Sequence, residues 1–274
     1  MAKTNFLNKV VPQVNEGYFE SPTGRAKVDA LHDTMGHLIL SNLGSEYQAI
    51  GYGFGDGNEF TVRLDNESWK ADTFIYNTLN GIDSKGLVID FKAPMGNFLQ
   101  NRNNFLNGQK GIASSVRPYG YVYSSFILLP RLIPYFRNDD TFTGKIEDCA
   151  NGTIEKLYGF MHREREMDNS FDLLGICVYE LPELNFTNIF NKDDYKTALL
   201  NYNGPIRYYK TNVKSDEKFI INDPYLYAKK AAELVKANFG PKSADQRLND
   251  LFNKLSKEEK IQILVEKNLL SRGV

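Results

Sequence analysis

The sequence predicts an α/β chain, with a mixed central β-sheet flanked by helices and a helical extension at its C-terminal end. Three observations predict it. Short apolar, β-branched runs such as Leu87-Val88-Ile89 and Leu173 to Leu181 have the length and composition of strands. Stretches with apolar residues three and four apart, at Thr23 to Asn42 and Thr153 to Met167, are amphipathic helices set among those strands, an alternation that points to layered α/β architecture. From Asp223-Pro224 onward the chain reads as helices alone.

The elements follow in order. In Thr23 to Asn42, Val28, Leu31, Met35 and Leu38 form the apolar stripe, and Asp29 and Asp33, four apart, share another face. Glu46 to Leu64 is a Gly-rich β segment. Its run Gly51-Tyr52-Gly53-Phe54-Gly55-Asp56-Gly57 has neither dinucleotide-loop nor P-loop spacing and leads into β-prone Phe60 to Leu64, so it reads as a hairpin or bulge. Thr73 to Tyr76 and Gly86 to Lys92 are two strand runs, and the turn residues between them, Asn80-Gly81 and Asp83-Ser84, pair them antiparallel. A strand at Val122 to Leu129 and the helix at Thr153 to Met167, with Ile154, Leu157, Tyr158 and Met161 on its apolar face, precede the strand at Leu173 to Leu181. Tyr225 to Asn238, Asp245 to Leu255 and Lys257 to Leu270 are three helices, broken at Gly240-Pro241, with Ser256 capping the last.

Composition bounds the function. Apolar residues make up 42% of the chain and charged residues 24%, which is ordinary for a globular protein and excludes wholesale disorder. No apolar run reaches eighteen residues, and Met1 to Gln13 is too polar for a secretory signal, so the expectation is a soluble, cytoplasmic protein without a membrane partner. Cys149 and Cys177 fit no metal spacing and read as reduced structural residues, and His32, His37 and His162 form no ligand cluster. A net charge of −1 excludes a globally basic nucleic-acid binder, so any DNA surface must be local.

The chemistry concentrates in the hairpin. The bare pattern acid-x-Lys occurs at Asp83/Lys85, Asp90/Lys92, Asp194/Lys196, Asp216/Lys218 and Glu258/Lys260, and only Asp90 follows an apolar β-branched run. Period-two alternation sets Asp90 and Lys92 on one face and Ile89, Phe91 and Ala93 on the other. Pairing the two runs antiparallel brings Asp72 near Asp90. Two adjacent carboxylates repel unless a proton or a cation neutralises them, and Mg²⁺, which takes one or two carboxylates plus water and phosphate, is the natural occupant.

Asp72, Asp90 and Lys92, with this order of elements, resemble the PD-(D/E)xK nuclease superfamily, over about residues 25 to 180. In that family an Asp at the end of one hairpin strand and an acid and a lysine two apart on the next form the catalytic site; Ala71 stands here where proline often precedes the first Asp. The resemblance implies a Mg²⁺-dependent DNA endonuclease. Asp72 and Asp90 hold the metal with the backbone carbonyl of Phe91, Lys92 orients or deprotonates the attacking water, and the products carry 5′-phosphate and 3′-hydroxyl ends. Glu46 and Asp33 are equal candidates for an accessory metal ligand. Chain length points to a type II restriction enzyme, with residues 1–215 as the nuclease domain, 216–274 as a helical extension for dimerisation or DNA contact, and a homodimer cutting double-stranded DNA.

Amide and guanidinium groups read base edges and phosphates. Asn97, Gln100, Asn101, Arg102, Asn103, Asn104 and Lys110, leaving the catalytic strand, are therefore candidate DNA contacts, as are Arg207 and Lys210 beside Tyr208 and Tyr209. The rival readings are a non-catalytic nuclease-like DNA-binding or interaction module, a resolvase or defence nuclease of the same superfamily, and a phosphate-ester hydrolase acting on small nucleotides.

Overall fold

A seven-stranded mixed sheet lies between two layers of helices in this computed structural model, which describes residues 4–21, 26–65, 68–80, 85–150, 152–163, 171–240, 256 and 259–260. The described elements are α1 (Thr4–Glu20), α2 (Ala26–Leu40), β1 (Tyr47–Gly51), β2 (Phe60–Arg63), β3 (Ser68–Ala71), β4 (Thr73–Asn77), β5 (Leu87–Lys92), α3 (Phe98–Val116), β6 (Val122–Pro130), β7 (Leu132–Phe136), β8 (Phe142–Asp148), α4 (Thr153–Arg163), β9 (Leu173–Glu180), α5 (Lys192–Leu200), β10 (Arg207–Tyr208), β11 (Phe219–Ile221) and α6 (Pro224–Phe239). The sheet runs β1-β4-β5-β6-β9-β10, and β11 shares the outer edge of β9 with β10. β5, β6, β9 and β11 are parallel, whereas β4 is antiparallel to both β1 and β5.

Period-two alternation builds two cores from one sheet. Leu87, Ile89 and Phe91 of β5, Phe126 and Leu128 of β6, and Cys177 and Tyr179 of β9 pack under α1, α2, α5 and α6 through residues such as Val10, Leu31, Met35, Tyr195 and Tyr227. Val88, Tyr123, Ile127, Leu129, Leu174 and Ile176 face the other way, under Leu106 and Ala113 of α3 and Ile154, Leu157 and Met161 of α4. Every residue of β6 is buried because both of its faces are covered. Val88 thus marks the face on which Asp90 and Lys92 also lie.

The expected boundary at 215/216 falls inside this assembly. β11 pairs with β9, and α6, capped by Asp223 with Pro224 in its first turn, sets Tyr227 on the sheet with its hydroxyl 2.7 Å from Ser124 Oγ. The chain as far as Phe239 therefore belongs to the sheet and its cover and is not an appendage. The helices expected at 245–255 and 257–270, like Thr23, Gly81 and Asp83-Ser84, lie almost wholly outside the described residues. Among the described residues no helix is long and apolar enough to cross a membrane.

Candidate functional site

Asp72 sits in the bend between β3 and β4, and the β4–β5 register that sets Thr73 opposite Ile89 brings it level with Asp90. Gly51 makes room for that bend: it holds φ +146°, and a Cβ there would lie 2.4 Å from the Asp72 carbonyl oxygen. Asp72 Oδ2 accepts the backbone N–H of Phe91 at 2.7 Å. In a strand, a residue's N–H and C=O point to the same edge, so the Phe91 carbonyl faces Asp72 as well.

Asp90 is 2% exposed. Lys92 Nζ approaches its Oδ1 at 2.5 Å, and Gln109 Nε2 of α3 donates to its Oδ2. Buried Gln109 accepts in turn from the Tyr123 hydroxyl at 2.9 Å, so one hydrogen-bonded chain runs from β6 through α3 to Asp90. Ser125, opposite Asp90 in the parallel β5–β6 register, has a buried Oγ with no hydrogen-bond partner. From the opposite face of the sheet, the His32 ring of α2 lies tilted against Phe91, 5.0 Å between ring centres, and brings Nε2 to 3.6 Å from Asp72 Oδ2.

Burial pushes the Asp90 carboxyl up to about 6; Lys92 pulls against that shift and Asp72 adds to it. Burial works against the Lys92 ammonium, but Asp90, Asp72 and Glu59 together leave its pKa raised. Tyr123 is raised well above the ordinary phenol value, first by burial and then by Asp90 and Asp72, so it stays a neutral donor. The site thus holds a buried carboxyl whose ionisation burial disfavours, a second carboxylate beside it, and a lysine that stays charged at neutral pH.

No family model, curated protein or solved structure matches this chain.

Among the described residues, no group of three or more His, Cys, Asp or Glu side chains gathers to hold a metal. Two carboxylates, one of them buried, are still a donor set that fits a hard dication whose other ligands are water and phosphate. Sequence reasoning placed Asp72, Asp90 and Lys92 together, and the structure does bring them together.

Other expected residues go elsewhere. Glu46 precedes β1 at the end where Tyr47 pairs with Asn77, and Gly51, opposite Thr73, lies at the other end. Glu46 is about 20 Å along the strand from Asp72, and its backbone carbonyl accepts from Thr78 instead. Asp33 Oδ1 lies 3.3 Å from His37 Nε2 and packs against Gly53, where a Cβ would come within 2.6 Å of it. The α2 side chain that reaches Asp72 is His32, which the apolar stripe beside it concealed.

The expected DNA contacts divide. Asn97 is a structural tie: its Nδ2 donates to the Phe136 carbonyl and its Oδ1 accepts the Phe136 N–H, both at 2.9 Å. Arg102 donates to Thr153 Oγ1 at 2.9 Å, Asn103 accepts from Lys156, and Lys110 lies over the Phe160 ring. Gln100, Asn101 and Asn104 are exposed along α3, and Arg207 and Lys210 are exposed at and just past β10. β10 lies three strands from β5, roughly 14 Å across the sheet. Residues that sequence reasoning missed include Gln109, Ser125 and Glu59. The signal for the first two was a polar side chain at a core-facing position, which is costly unless it has a role or a partner.

Proposed function

We propose that this protein is a Mg²⁺-dependent DNA endonuclease of the PD-(D/E)xK type, and within that class a restriction-type enzyme acting on duplex DNA. The observation that carries the proposal is the convergence of Asp72, Asp90 and Lys92 at the end of β5, where a buried carboxylate has its pKa raised by burial and by a second carboxylate. Strained ionisation of this kind is common where a site is set up for a ligand or a reaction.

Asp72 and Asp90, with the Phe91 carbonyl, would hold the metal. Bound there, Mg²⁺ would supply Lewis acidity toward the scissile phosphate and lower the pKa of a coordinated water. Lys92, kept charged by its acidic neighbours, places an ammonium where negative charge grows on the phosphate, so its role is charge stabilisation and water orientation. Gln109 and Tyr123 fix the Asp90 carboxylate from behind. Gln100, Asn101 and Asn104 on α3 supply exposed amides for the duplex. Cutting both strands calls for two sites, which favours a homodimer.

A second reading, a non-catalytic nuclease-like module, draws on the bonds Asp90 already makes to Lys92 and Gln109. Incubation with long unmethylated duplex DNA in Mg²⁺, beside EDTA and Asp90→Asn controls, separates the two. Metal-dependent cutting lost in the variant supports the enzyme. DNA retained in Ca²⁺ but left intact in Mg²⁺ supports the module.

A further inference from the structure

Beyond Lys92 the chain turns through Pro94, Met95 and Gly96 into α3, and beside this turn lies a pocket of about 330 Å³. Its polar lining is Tyr18 of α1, Lys27 of α2, Asn97, and Arg137, Asp140 and Lys192 from the β7–β8 turn and the start of α5. Among the described lining residues, three are cationic and one is an acid. Lys192 Nζ lies 3.1 Å from Asp140 Oδ1, so that acid is already engaged. Burial first, then the nearby charges of Lys92 and Lys192, lower the Lys27 pKa.

A second observation is independent of charge. Tyr18 is 3% exposed, and its hydroxyl is buried without a hydrogen-bond partner. Burial and Asp140 raise its pKa, so it remains an O–H donor. Gly96 leaves the space next to that hydroxyl open: even a Cβ there would stop 3.4 Å from it. A buried donor without an acceptor is unfavourable. Mutually repelling cations add to that cost, and one ligand relieves both.

We infer that this pocket is a phosphate-binding subsite, in which Lys27, Arg137 and Lys192 neutralise the anion and the Tyr18 hydroxyl donates to one of its oxygens. The phosphate group has two possible sources, the backbone of a bound nucleic-acid strand or a free nucleotide. Only the first rests on reading Asp72, Asp90 and Lys92 as a phosphodiesterase site. There the subsite would grip the strand beside the scissile bond, immediately past Lys92.

The test is calorimetric titration of the full chain with inorganic phosphate in EDTA at pH 7.5 and low salt, using wild type, Asp90→Asn, Arg137→Gln, Tyr18→Phe and the Lys27→Gln/Lys192→Gln double variant. Saturable binding is expected for wild type and Asp90→Asn, weakened tenfold or more in the double variant and severalfold in the other two. Arg137 is exposed, so its replacement leaves the fold untouched and keeps the test valid should the double variant unfold. No saturable phosphate binding by wild type, or binding by Arg137→Gln and by the double variant as tight as wild type's, overturns the subsite.

The source is settled by repeating the comparison with a thymidine monophosphate and with a short duplex. If the strand is the source, the slope of log affinity against log salt for the duplex falls by about one in the double variant. Loss of mononucleotide binding with an unchanged duplex slope assigns the site to free nucleotides. Phosphate binding by a wild-type chain that cuts no DNA in Mg²⁺ would refute the nuclease and leave the subsite standing.

Discussion

Asp72 Oδ2 holds the N–H of Phe91 at 2.7 Å, so the first carboxylate of the site fixes the backbone between the second carboxylate and the lysine. The bond ties β4 to β5 beyond their last paired residues. Asp72→Asn keeps an acceptor there and removes the charge, whereas Asp72→Ala removes both. The Asn variant should fold with near wild-type stability yet lose about 10²-fold or more of any metal-dependent activity. The Ala variant should lose about 1–3 kcal/mol as well, because the Phe91 N–H loses its partner. Thermal denaturation beside cleavage rates checks both; equal stability of the two variants would contradict the role given to this bond.

Gln109 bridges Tyr123 and Asp90 from the middle of a helix. Gln109→Leu leaves a carboxylate oxygen and a phenol hydroxyl without their bonds, and should destabilise by about 1–3 kcal/mol. It should also move the acid limb of the activity profile to higher pH, because a donor to ionised Asp90 is gone. A plain packing role for Gln109 would change the melting temperature and leave the pH profile in place.

Asp90 makes stability depend on pH. Its folded pKa, about 6 against an ordinary value of 3.8, means that the folded chain holds the proton more tightly than the unfolded one. Its contribution is therefore full below about pH 4 and is lost as pH rises through about 6. Asp90→Asn, which cannot ionise, should be more stable than wild type by about 3 kcal/mol at pH 8 in metal-free buffer, with the gap closing toward pH 4. Melting curves across that range decide it, and a wild type that gains on the variant with rising pH would contradict it.

Gly51→Ala tests whether the Gly-rich segment serves the site. Its φ of +146° and the 2.4 Å approach to the Asp72 carbonyl leave no room for a methyl group. A cost of about 1–3 kcal/mol is expected, together with loss of activity as Asp72 shifts. Gly57→Ala, with φ +74° but open space around it, should cost less and leave activity unchanged. Equal effects at the two positions would mean that only backbone strain matters.

Much of this fold is legible in the sequence, and the exceptions have physical causes. β6 and β9 are buried on both faces and therefore read as apolar runs, and β5 carries its acid and lysine where alternation places them. α1 escaped because Pro12 stands in its interior, a position that usually breaks a helix. α3 escaped because it is rich in Asn, with Gly108 and Gly111 within it; tertiary burial of Phe98, Leu106, Ala113 and Val116 overrides that weak propensity. The β7–β8 hairpin and α5 carried no periodic pattern long enough to stand out.

The site was legible as far as its strand spacing reached. Asp72, Asp90 and Lys92 follow from alternation and one antiparallel register. Gln109 and His32 come from helices on opposite faces of the sheet, and no local pattern relates a helix residue to the strand it will cover. Asn97 looked like a base-reading amide because its type suits both tasks; its two bonds to Phe136 exist only once β7 is in place.

The proposed hydrolysis is assigned to Asp72, Asp90 and Lys92. Single-turnover cleavage of one duplex substrate in Mg²⁺, comparing wild type with Asp90→Asn and Lys92→Ala and identifying the product ends, tests it most directly. Metal-dependent cutting that leaves 5′-phosphate and 3′-hydroxyl ends is expected, slowed about 10³-fold or more in both variants. Cutting by the two variants at the wild-type rate, or no metal-dependent cutting by wild type, would contradict it.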